Sequence, residues 1–168
     1  MNRNIAIFAL IAVILFIMSC ATRASDDSNA TQVNAYSGYA SWNKVNSTTI
    51  TGDRTGILGN AHEGSAGFRE VYVNSAGLPV SSGSAAVPYA EGSIILKEAY
   101  KDSGGAKGAL ESLTVMVKRE SGYDGENGNW EYIMLTPEMK VQAQGRLSGC
   151  ISCHLAAEED DFIFTHNR

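Results

Sequence analysis

The chain has 168 residues, a net charge of −5, 44% apolar residues and 17 glycines. The acidic balance excludes a basic nucleic-acid surface. Once a leader and tether are set aside, about 130 residues remain, enough for one core and not for two domains. Abundant glycine and short β-branched runs suggest a β-rich domain with tight turns.

The N-terminus reads as an export signal. Arg3 supplies the positive region, and Ile5 to Met18 is an apolar run of about 14 residues, suited to a signal-peptide core and short for a membrane span. Two processing routes are open. Thr22-Arg23-Ala24 would serve an ordinary signal peptidase, giving a signal peptide over residues 1–24. Ile17-Met18-Ser19-Cys20 instead resembles a lipobox, in which a lipidated Cys20 becomes the mature N-terminus and a membrane anchor, although Met18 stands where a small residue is usual. Residues 25–35 are small and polar and read as a flexible tether; residues 36–168 read as the folded domain.

Within that domain, Tyr36 to Val45, with Tyr39 and Trp42 on one stripe, suggests a short helix, and Thr48 to Ser65 reads as loop. Four strands are expected: Phe68–Val73, Ser93–Tyr100, Leu113–Arg119 and Trp130–Leu135. Asn74-Ser75-Ala76-Gly77 is turn-like, and Gly104, Gly105 and Gly108 break the chain before the third strand. Tyr123 to Gly128 holds both Asp-Gly and Asn-Gly, strong hairpin signals, so the last two strands are expected to pair antiparallel. Lys140 to Gly149 is polar and mixed, with no element assigned.

Cys150-Ile151-Ser152-Cys153-His154 follows. Two thiols three positions apart can form thioethers to both vinyl groups of one haem, with the adjacent imidazole as proximal iron ligand. A redox dithiol would want a βαβ setting and a zinc site a second Cys/His pair, which the sequence lacks. The motif therefore points to one covalently attached haem c, with Cys150 and Cys153 as thioethers and His154 on the metal. Haem c is matured outside the cytoplasm, so motif and export signal support each other and point to a periplasm. The motif is expected to open or lie on a helix through about Ala157, and the apolar run Phe162–Thr165 to pack back on the domain near the haem edge.

A CxxCH after an antiparallel β domain is the wrong order for an ordinary small cytochrome c. With the wording around it, the order resembles the cytochrome P-460 family and its relatives, the β-sheet cytochromes c′. The matching stretches are Phe68–Asn74, Glu91–Glu98, Val115–Arg119, Gly128–Tyr132, Gly145–His154 and Asp161–Thr165. The resemblance implies an α+β, mainly β fold: an antiparallel sheet with flanking helices and a C-terminal haem c site. It also implies a homodimer and a five-coordinate haem with an open distal side, and members that oxidise hydroxylamine or bind nitric oxide. In the hydroxylamine-oxidising members a lysine is cross-linked to the macrocycle.

Lys97 is the candidate for that lysine. It interrupts an apolar strand and faces the same way as Ile95 and Ala99. A haem-facing amine would be desolvated, would lose its proton more easily and would become a better nucleophile; the alternative is an edge lysine snorkelling to solvent. Arg69 and Glu70 occupy opposite faces of one strand, so at most one points at the haem, to hydrogen-bond a nitrogen–oxygen ligand or relay its protons. Met116, Met134, Met139, His62 and His166 are the available sixth ligands, with Met116 and Met134 reading more as core filler. The leading expectation is an exported monohaem oxidoreductase that oxidises hydroxylamine toward nitrous oxide or nitric oxide and passes electrons to a soluble electron-transfer cytochrome. The alternatives are a non-enzymatic nitric oxide binder and a plain electron carrier with a strong sixth ligand such as Met134.

Overall fold

A computed structural model describes residues 35–46 and 68–164. Chain contacts divide the molecule into Met1–Ser37 and Gly38–Arg168. Of the first unit only residues 35–37 are described, so the signal peptide, Cys20 and the tether up to residue 34 lie outside the described residues, as do the loop expected at 48–65, His62 and His166. Among the described residues no helix is long and apolar enough to cross a membrane.

The second unit is built on a six-stranded sheet whose spatial order is its chain order. The strands are β1 (Asn43–Lys44), β2 (Phe68–Val73), β3 (Ile94–Asp102), β4 (Lys107–Lys118), β5 (Trp130–Leu135) and β6 (Val141–Gly145). All neighbours pair antiparallel, so the fold is mainly β, as expected. A one-turn helix α1 (Leu78–Ser81) follows β2, and α2 (Ser148–His154) continues into a 3-10 segment, Leu155–Asp160.

β2 and β5 form where alternating β-branched and aromatic residues favour a pleated, packed surface. The expected pairing of the last two long strands is present, from Leu113↔Leu135 to Lys118↔Trp130. Gly104 and Gly105, read as a break, are a hairpin tip: both have positive φ, +67° and +85°, which lets β4 begin at Lys107 opposite Asp102.

Two segments differ from the sequence reading. The helix expected over 36–45 is a short 3-10 turn, Tyr39–Ser41, followed by β1. There the side chain of Asn46 accepts the Val71 N–H at 2.7 Å and the Val45 N–H donates to the Val71 carbonyl at 2.8 Å, so pairing with β2 satisfies backbone groups that a marginal helix would leave open. The stretch left unassigned after Lys140 contains β6. Its half-buried Val141, Ala143 and Gly145 alternate with exposed Gln142 and Gln144, an edge-strand pattern with little apolar signal.

The register sorts side chains onto two faces. One carries Val73, Ile95, Met116, Trp130 and Tyr132, which pack with Phe162 and Ile163 and with Leu147, Cys150 and Ile151 around α2. The other carries Leu96, Val115, Ile133 and Leu135, none more than 1% exposed. Both faces are thus apolar over the central strands, which is why β5 reads as a nearly continuous apolar run.

Candidate haem site

The site is a cavity between the first sheet face and α2. Across the sheet, Val71, Lys97, Thr114 and Met134 stand in one register row, and all four line the cavity together with Arg69. Its far wall includes Cys150, His154, Ile163 and Phe164. The empty space among these side chains, the open solvent at its mouth included, is about 1020 Å³.

The motif residues fold as one short helix. Ile151 N–H donates to the Leu147 carbonyl at 3.0 Å, and the Ser152 hydroxyl donates to the Ser148 carbonyl at 2.9 Å. Cys150 and Cys153 are half-buried and not joined in a disulfide. Burial pushes the Cys150 thiol up, an effect that Lys97 partly opposes. Among the described residues no three His, Cys, Asp or Glu side chains are grouped to hold a bare metal ion.

His154 is buried, with its Nδ1 2.6 Å from the carbonyl oxygen of Phe162. A carbonyl only accepts, so Nδ1 carries the proton and Nε2 keeps its lone pair. Burial holds the imidazole below its ordinary pKa; the Phe162 bond opposes this and Lys97 reinforces it. The ring is therefore neutral near pH 7, with Nε2 as its unprotonated nitrogen. Tyr132 and Phe164 flank it, each with its ring centroid 5.3 Å away.

Lys97 projects from the central strand β3 into this cavity. Burial, and next the nearby Arg69 charge, push its ammonium down to about 7, with the two cysteines pulling slightly the other way. β3 lies inside the sheet between β2 and β4, so Lys97 is not an edge-strand lysine; it is half-buried.

Arg69 lines the cavity, and Glu70, next along β2, does not. Glu70 lies on the opposite face, ion-paired with Lys44 at 2.9 Å and Lys107 at 3.1 Å and accepting from the Tyr72 hydroxyl at 3.1 Å. Glu70 is therefore set aside as a distal group. Met116 and Met134 both reach the cavity wall; Met116 is buried and Met134 is 40% exposed.

Two wall residues had no distinguishing sequence signal. Thr114 is known only from its register opposite Lys97. Tyr132 lines the cavity with its hydroxyl buried and without a hydrogen-bond partner among the described residues, as expected for a wall built to face a polar group. A mostly apolar slot, two thiols on one helical turn, an imidazole whose Nδ1 is tied to a backbone carbonyl and a buried hydroxyl without a hydrogen-bond partner among the described residues together fit a haem.

Comparison with known proteins agrees with this fit. The family model described as cytochrome P460 matches residues 36–165. No curated protein matches the chain. The match spans all six strands, α2 and the CxxCH turn, and with it the chain belongs to the cytochrome P460 family and is a haem-binding cytochrome.

Proposed function

We propose that this is an exported monohaem c-type cytochrome that oxidises hydroxylamine and delivers the electrons to a soluble redox partner. The observation that carries the reading is Lys97, an amine held near half-protonation inside the cavity that Cys150 and His154 border. Bound haem would supply an iron site for a nitrogen–oxygen ligand and a path for its electrons. Cys150 and Cys153 would hold it through thioethers, and His154 would ligate iron through Nε2.

The remaining roles belong to the chain. Much of the Lys97 amine is neutral at pH 7, so its lone pair could take a proton from substrate or serve as the nucleophile that the family resemblance assigns to the cross-linked lysine. The Arg69 guanidinium is permanently charged and gives the wall a fixed positive group for a developing oxyanion. Val71, Ile95 and Phe164 exclude water around these groups and strengthen their electrostatics. A dimer and a lipid anchor at Cys20 belong to the same proposal, through the family resemblance and the N-terminal sequence.

A second reading, a nitric oxide binder without catalysis, is favoured by those same apolar walls. One set of experiments separates the two. Intact mass with fragmentation at Lys97 reports a bond to the ring, and the ferrous Soret band should be red-shifted in the wild type. Lys97→Ala should restore an ordinary c-type spectrum and abolish hydroxylamine-dependent dye reduction while leaving nitric oxide binding intact. A wild-type protein with an ordinary spectrum and no such turnover sinks the enzymatic reading. Cys150→Ala with Cys153→Ala should release the haem on acid–acetone extraction; full retention would refute c-type attachment.

A further inference from the structure

We propose that the buried Lys118–Asp161 ion pair is a positioning device for the proximal ligand: it locks residues 161–162 into the turn that presents the Phe162 carbonyl to His154 Nδ1, and so sets how strongly His154 donates to iron. The proposal rests on His154 being that ligand.

Asp161 and Phe162 are consecutive non-glycine residues with positive φ, 53° and 66°. L-residues resist this left-handed region, and such a pair persists only where the surroundings over-determine it. Here they do. Lys118 Nζ donates to both carboxylate oxygens of Asp161, at 2.6 and 2.7 Å, and lies over the Trp130 ring, 4.9 Å from its centroid. Asp161 Oδ2 also accepts the Tyr89 N–H at 2.8 Å. The Asp161 carbonyl accepts Trp130 Nε1 at 2.8 Å, and the Phe162 N–H donates to the Ala157 carbonyl at 2.7 Å.

The Phe162 carbonyl alone is turned to the haem helix, at 2.6 Å from His154 Nδ1. A buried ion pair is a poor device for stability, since an apolar pair of similar volume serves as well. Its value here is geometric: one carboxylate ties strand β4 and the Tyr89 backbone to the residue that precedes the Phe162 carbonyl. A proximal imidazole that donates a firm hydrogen bond from Nδ1 is the stronger base at Nε2.

The test uses the haem-loaded protein and three readouts: the iron–histidine stretching frequency of the ferrous form, the reduction potential, and solvent exchange of the His154 Nδ1 proton in the ferrous protein saturated with carbon monoxide. In Asp161→Asn the stretch should fall, the potential should rise and the proton should exchange faster by about tenfold, as for loss of one buried hydrogen bond. Lys118→Gln should move all three the same way, and Lys118→Arg should return them toward wild type. Should Asp161→Asn fail to fold, Lys118→Gln decides, because it leaves the Asp161 contacts to Tyr89 and Trp130 in place. Folded variants that lose thermal stability while all three readouts stay at wild-type values would overturn the proposal. His154→Ala separates the two levels: an unchanged axial ligand there refutes the ligation itself, and the clamp with it.

Discussion

A lysine amine with a pKa of about 7 is half neutral where a solvated one is almost wholly charged. That has a cost in the haem-free chain. The folded value lies below the ordinary 10.5, so between the two the unfolded state binds more protons and stability rises with pH. Below about pH 7 the penalty is present in full, and it disappears as pH climbs through the unfolded value. Urea unfolding of haem-free protein at about pH 6 and about pH 9 should show greater stability at the higher pH, and Lys97→Met should flatten that difference. An equal slope in both proteins would mean that Lys97 is solvated when the cavity is empty. Arg69 and Glu70 illustrate how much one residue of register decides. They are neighbours in sequence with opposite fates, one in the cavity wall and one in an ion-paired cluster behind the sheet.

At the scale of elements, the β4–β5 connection and the segment after α2 depend on each other. Gly128 has φ +66°, and a Cβ there would sit 2.6 Å from Phe162 Cδ2. Gly128→Ala should therefore both strain the turn and push the Phe162 ring, lowering stability by about 1–3 kcal/mol in a denaturant titration. If the ring carries its own carbonyl with it, the iron–histidine stretch will move as well. The strong strands were legible in the sequence because their alternation and turn residues are local: Phe68–Val73 and Trp130–Leu135 agree with β2 and β5 residue for residue. β6 was not, since two of its five positions face solvent as glutamine and its half-buried positions include only one large apolar residue, Val141. Within the acidic run Glu158–Asp161, Asp161 is buried against Lys118, 43 positions away. Nothing local marks such a partner. The haem turn was legible because CxxCH is set by the chemistry of the group it would bind, whereas the wall opposite it required the register of four strands.

The whole molecule is acidic, with a net charge of −5 that becomes more negative if Arg3 and Arg23 leave with a signal peptide. A soluble electron acceptor for such a protein is expected to be basic, so the rate of reducing a cationic cytochrome should fall as salt rises, while the rate with a small neutral dye should not. Indifference of both to ionic strength would remove charge as the basis of partner choice. The sheet is a simple meander, each strand pairing with its neighbours in the chain, and contacts close in sequence form early. All six strands precede Cys150. On the proposed covalent reading, a chain exported N-terminus first delivers its two thiols only after every strand of the cavity wall has crossed. The cofactor is then fastened to the segment that closes the cavity, so loading and closure are a single docking event and the finished pocket never needs an entrance wide enough for a free macrocycle.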